Sequence, residues 1–172
     1  MEVGVEFDVR RIRTDEGLVL RNTKLRALAD APGALGSEYG ESSERSDSSW
    51  GEQARETSAG QQQAIFFAEI DGEPVGMVRG SAPEDERVVC DLTSMWVAPG
   101  ARGSGVSRAL VEVVLKWAVE HGYERVVLGV VEGNEPAERL YSSCGFEFTG
   151  RREPLKLDCH DVVREMVRFL SA

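Results

Sequence analysis

The run Val97-Ala98-Pro99-Gly100-Ala101-Arg102-Gly103-Ser104-Gly105-Val106-Ser107 joins an apolar stretch to a long amphipathic one and holds the residue types that bind phosphate. Gly103 and Gly105 lack a Cβ, so the backbone can take angles closed to other residues and lie close to a ligand. A helix opening there would aim its first free N–H groups, with the positive end of its dipole, at that ligand. An anion fits such a loop, and the spacing narrows its kind. A nucleoside triphosphate loop needs Lys and then Ser or Thr after its second Gly, whereas Val106 and Ser107 follow Gly105. A dinucleotide fingerprint needs a third small residue where Arg108 stands, and it belongs to the first βαβ unit of a chain, not past its middle. What is left is Arg102-x-x-Gly105-x-Ser107, or a strand-to-helix turn whose glycines serve geometry alone.

A second cluster follows, Asn134-Glu135-Pro136-Ala137-Glu138-Arg139-Leu140-Tyr141-Ser142-Ser143-Cys144-Gly145-Phe146. Asn134 and Pro136 start a short helix, Ala137, Leu140, Tyr141 and Cys144 share one face, and Gly145 ends it. The helix presents one tyrosine. Taken alone, Tyr141 is a half-buried core residue with its hydroxyl in water.

Together the two clusters resemble the GNAT N-acetyltransferases. The first is similar to that family's Arg/Gln-x-x-Gly-x-Gly/Ala loop, with Ser107 in place of the last small residue. Its hydroxyl could crowd a pyrophosphate or give it a further hydrogen bond. The second matches the family's N-x-x-A-x-x-L-Y-x-x-x-G-F spacing at every specified position. The resemblance implies acetyl-CoA as co-substrate, with no metal. It assigns binding to Trp96 and Val97 through their backbone, to the loop residues Arg102, Gly103, Ser104, Gly105, Val106 and Ser107, and to Asn134 on the pantetheine arm. Tyr141 would sit by the thioester sulfur and protonate the departing thiolate.

An amine near neutral pH is mostly protonated and needs a base before it can attack. In the family that base is often an acid on the central strand, eleven positions before the loop's Arg or Gln, which lands on Asp91. Asp is one methylene shorter than the commoner Glu, which favours a water relay. The alternatives for Asp91 are pairing with a neighbouring strand's Arg or facing solvent, and Glu69 is a weaker second choice for the base. His160 could serve on the substrate side.

The elements that must position these groups alternate. A strand over 7–12 leads to a helix from Thr14 to about Ala29, and a Gly- and Ser-rich stretch over 31–49, with Gly33 and Gly36, marks a loose connection or a broken helix. A helix including 50–57 follows, then strands over 64–70 and 74–81 joined by the hairpin signal Asp71-Gly72-Glu73. After an acidic turn over 83–86 comes the central strand, 88–97. The clearest periodicity lies beyond the loop, with Val106, Ala109, Leu110, Val113, Val114, Trp117 and Ala118 on one stripe and Gly122 closing it. A strand over 125–131 precedes the tyrosine helix, and strands near 146–149 and 162–170 end the chain. The expected fold is α/β (α+β), one GNAT domain over 1–172, with a mixed sheet of six to seven strands flanked by about four helices.

The 172 residues are 41% hydrophobic, enough for one core. No apolar run is long enough to span a bilayer, and no basic start precedes an apolar block, so no membrane role is expected and the expected location is cytoplasmic. Cys90, Cys144 and Cys159 have no paired or metal-like spacing, which suits reduced thiols. A net charge of −10 argues against nucleic acid, which needs a basic face. The same charge would steer a cationic amine, so the expected partner is a small-molecule amine, with a cationic one favoured, on a monomer or homodimer. Residues 29–36 resemble a feature common in small-molecule enzymes of the family. A protein N-terminus or lysine as acceptor, or a non-catalytic acyl-CoA sensor, are the alternatives.

Overall fold

The computed structural model describes residues 4–31, 39–83, 88–155 and 160–171. Gly33, Gly36, Cys159 and most of the acidic turn at 83–86 lie outside the described residues. The elements are β1 (Asp8–Arg11), α1 (Gly17–Asp30), α2 (Tyr39–Glu44), α3 (Asp47–Ala59), β2 (Gln63–Ile70), β3 (Glu73–Ser81), β4 (Val89–Val97), α4 (Val106–Glu120), β5 (Arg125–Val131), α5 (Glu135–Ser143), β6 (Glu147–Pro154) and β7 (Val162–Phe169). Over 39–49 the described part of the Gly- and Ser-rich stretch holds the short α2 and the start of α3, which brings the helices among the described residues to five, against about four expected.

The strands form one seven-stranded sheet in the order β1-β2-β3-β4-β5-β7-β6. Alternation along β2 divides the core between the two faces. Phe66 packs with Cys90, Leu92, Leu128 and the inner face of α4, while Ile65 and Phe67 pack with Leu20, Trp50, Met77 and Trp96 under α1 and α3. The α4 stripe lies inward as its period requires, and Val111 and Leu115 are buried too, so its apolar arc is wider than the stripe alone. Close approach of α4 to β3 depends on two missing side chains. A Cβ on Gly76 would come within 3.0 Å of Leu110 Cδ1, and one on Gly80 within 3.2 Å of the Trp117 ring.

All neighbouring strands are antiparallel except β4 and β5, which run parallel. That pair bonds only through Val89↔Arg125, Cys90↔Val126 and Asp91↔Val127. Beyond Asp91 the two strands separate. The cause lies in β4, where Ser94 takes the left-handed region (φ 54°) and the register with β3 shifts between Met77 and Arg79. A bulge of this kind bends its strand away from a neighbour. No helix among the described residues is long and apolar enough to cross a membrane.

Candidate active site

The gap between β4 and β5 opens into a cleft of about 940 Å³, within the range of small-molecule sites. Thr93, Ser94, Met95, Trp96 and Val97 line one wall, and Gly129, Val130 and Val131 the other. The β4 backbone faces it at alternate residues. Ala98 N–H donates to Val75 O at 2.7 Å, which makes Val75 and Ala98 a hydrogen-bonded pair; one step along, Gly76↔Val97 is then the non-bonded kind and Met77↔Trp96 bonded again. Val97 therefore turns its N–H and C=O toward the gap, and Trp96 turns its own toward β3. Of the two peptide groups expected at the cleft, Val97 is the one that faces it. Trp96 contributes its indole instead, whose Nε1 donates to Asp30 Oδ2 at 2.9 Å.

The loop ends in a helix start built for an anion. Gly105 is the N-cap of α4 in a left-handed conformation (φ 90°), and Gly103 shares it (φ 76°), a region that side chains other than Gly rarely enter. The α4 ladder begins with Ala109 N–H to Gly105 O, so the N–H groups of Val106, Ser107 and Arg108 precede it. Gly103, Gly105, Ser107 and Arg108 line the cleft, and a Cβ on either glycine would meet nothing within 4 Å, so the space above them is open. The pyrophosphate cradle expected here fits these residues.

The side chains of three members of the expected loop set make other contacts, although Arg102 still lines the cleft. The Val106 side chain is fully buried under the loop, leaving its backbone for binding. Ser104 turns its hydroxyl back to Ala101 O and does not line the cleft. Arg102 donates from Nε to Val97 O at 3.0 Å and pairs with Asp30 at the end of α1. Its guanidinium ties three elements together, and the Asp30 carboxyl is held below the usual range by Trp96 first and Arg102 second.

Asn134 caps α5, its side chain accepting from Ala137 N–H at 3.3 Å. That bond uses the amide oxygen and leaves the NH₂ donors for a ligand in the cleft that Asn134 lines. Tyr141 lies on the inner face of α5, a residue 7% exposed whose ring is edge-on to Phe146. Its hydroxyl has no hydrogen-bond partner among the described residues, and the residue lines the cleft. Burial pushes the phenol up to about 12, with Cys144 a lesser cause, so it keeps its proton throughout the physiological range. Cys144 is a small buried residue as expected. Burial likewise pushes Cys90 up to about 12, too high for a nucleophile at neutral pH.

Asp91 occupies the last bonded rung of the β4–β5 pair, at the vertex of the gap. It lines a smaller cavity of about 190 Å³ with Thr93, Arg151, Glu153 and Glu165. This cavity adjoins the large cleft, with Leu92, Thr93, Gly129 and Val163 lining both. Glu69, the second base candidate, is held at 2.6 Å by Arg10, which also binds Glu16. His160 is exposed, and His121 is fixed to Trp117 O at 2.8 Å.

One charge at this site has no counterpart in the sequence reading. Lys24 extends from α1 to donate to Ser94 Oγ at 3.1 Å. Burial pushes its pKa down to about 8, and Arg79 and Arg45 lower it further. The unfolded chain, with an ordinary lysine, holds more protons between pH 8 and 10.5, so this residue lowers stability below pH 8 and the cost fades as pH rises through that window. At about 1.4 kcal/mol per unit, the cost at pH 7 is on the order of 3 kcal/mol at most. Lys24→Met should therefore stabilise the ligand-free protein by about 1–3 kcal/mol at pH 7, a gain that disappears by about pH 10.5 in thermal melts. An unchanged melting temperature at pH 7 would contradict it.

Comparison with known proteins now decides the family. Residues 30–146 match the sequence profile described as the acetyltransferase (GNAT) family. The chain belongs to the GNAT acetyltransferases. It is 38% identical over 112 residues to an uncharacterized N-acetyltransferase of Mycobacterium tuberculosis, covering 60% of this chain and 68% of that one. It is 41% identical over 86 residues to human N-acetylaspartate synthetase, covering 50% of this chain and 28% of that protein, so it spans under a third of that relative's length. The solved structure of a putative acetyltransferase from Salmonella typhimurium with acetyl-CoA has the same fold, at 18% identity, TM-score 0.75, and 97% and 95% coverage of the two chains.

Proposed function

We propose that this GNAT enzyme transfers the acetyl group of acetyl-CoA directly to the primary amine of a small molecule. The observation that carries this is a pair of adjoining cavities in the gap between β4 and β5, one lined by Asp91 and the other by Tyr141, with Leu92, Thr93, Gly129 and Val163 common to both. The N–H groups at the start of α4 hold the pyrophosphate, and Asn134 holds the arm. Val97 N–H is the donor available to a carbonyl oxygen in the gap, where it stabilises the oxyanion that forms on attack. The amine loses a proton to Asp91 directly or through water, the C–N bond forms, the C–S bond breaks, and Tyr141 gives its proton to the leaving sulfur. No covalent intermediate on the protein is needed.

The likeness to a relative named for N-acetylaspartate supports a small-molecule acceptor. The test is a panel of amines, amino acids and peptides with acetyl-CoA, read by thiol release. Turnover of small amines is the expected outcome, with Asp91→Asn slowing it about 10²-fold, as for loss of a general base. Turnover of peptides alone would move the acceptor to proteins, and acetyl-CoA binding without turnover of any amine would leave a sensor.

A further inference from the structure

The chain is acidic, yet Lys24 on α1, Arg45 just before α3 and Arg79 on β3 are near enough to act on one another through space. Lys24 reaches Ser94 Oγ at 3.1 Å. Arg79 faces Thr93 across the β3–β4 ladder, bonds Gln63 Oε1 at 2.6 Å, and keeps a buried Nε–H with no partner. Arg45 stacks on Trp50 with its guanidinium 3.7 Å from the ring centroid and bonds Gln53 Oε1 at 3.0 Å. Each of the three is half-buried, and among the described residues none has a carboxylate within ion-pair distance. Glu56 on α3 and Asp91 on β4 act on Arg79 only through space.

Like charges held together out of water oppose folding unless something on the other side offsets them. Ser94 and Thr93 line the large cleft, and Thr93 also lines the cavity of Asp91. The bulge at Ser94 therefore divides the acceptor side in two, with Lys24 toward α1 and Asp91 toward β5, while Glu153 and Glu165 farther on are paired with Arg151. One small molecule that carries both an ammonium and a carboxylate matches that division.

Resting on the acetyltransferase reading above, we propose that the acceptor is an amino acid with a free carboxylate, seated with the carboxylate against Lys24 and Ser94 in the field of Arg79 and its amine toward Asp91. The acidic surface and the positive interior are then not in conflict, because each handles one end of a zwitterion.

The test pairs leucine, methionine and lysine with their α-amides and their decarboxylated amines, using the full chain, acetyl-CoA and thiol release. The free acids should exceed their partners at least tenfold in kcat/KM. Lys24→Met should remove that preference by raising KM for the acids at least tenfold while changing the amides less than twofold, and Lys24→Arg should restore part of it. Equal or better turnover of the amides, or an equal loss for acids and amides in Lys24→Met, would overturn the proposal. If no amine of any kind releases thiol, the transfer reading fails on its own, and calorimetry of the same pairs against the CoA-loaded protein still decides this one. Binding of acids over amides that Lys24→Met abolishes supports the carboxylate site, and no such preference sinks it.

Discussion

Replacing Gly105 with Glu is expected to abolish acetyl-CoA binding in calorimetry. The left-handed cap at Gly105 opens α4, and a Cβ there meets only open space, so the new side chain would project where the pyrophosphate must lie. A carboxylate about 4 Å from one phosphate charge, at an effective dielectric near 20, costs on the order of 4 kcal/mol. That is roughly a thousandfold in affinity. Gly105→Asn separates this from backbone strain, since Asn enters the left-handed region more readily than other side chains and adds no charge. It should keep most of the affinity. Binding by Gly105→Glu at the wild-type level would refute the phosphate assignment at this helix start.

The second large effect is on chemistry. Tyr141→Phe should lower thiol release about 10²-fold, the usual contribution of a positioned general acid, and leave acetyl-CoA affinity nearly unchanged. The substitution removes a hydroxyl with no protein partner among the described residues and keeps the ring that packs on Phe146, so folding should be untouched. The pH profile adds a second check. The acid form is the active one, and burial holds the phenol near 12, so no loss of rate from Tyr141 ionisation should appear near the ordinary tyrosine value of 10. Wild-type turnover by Tyr141→Phe would remove the residue from the mechanism.

The residues that local pattern could reveal were those whose role depends on near neighbours in the chain. The glycine loop, the α4 stripe and the Asn134 to Phe146 helix each carry their period or cap within a single element, and β5 came out at the bounds its apolar run suggested. Long-range partners decided the rest. Arg102 reads as a loop residue beside a phosphate, and only the fold shows that Asp30, far back in the chain, pairs with its guanidinium. Lys24 resembles any exposed helix lysine, and only the bulge at Ser94, which a non-glycine residue in a left-handed conformation does not announce, brings a hydroxyl beneath it. Strand β6 runs on to Pro154 through Gly150 and three charged residues because β7 supplies its ladder, which local propensity does not show.

The parting of β4 and β5 after Asp91 leaves the sheet with an unzipped seam at its centre. The Val97 carbonyl is taken by Arg102, but its N–H faces the seam where no β5 partner bonds it, and it depends on water or a guest. The guest that completes the ladder thereby joins the architecture for as long as it stays. Folding and substrate supply are then linked through RT ln(1 + [L]/Kd), and the protein is most robust when its donor is abundant.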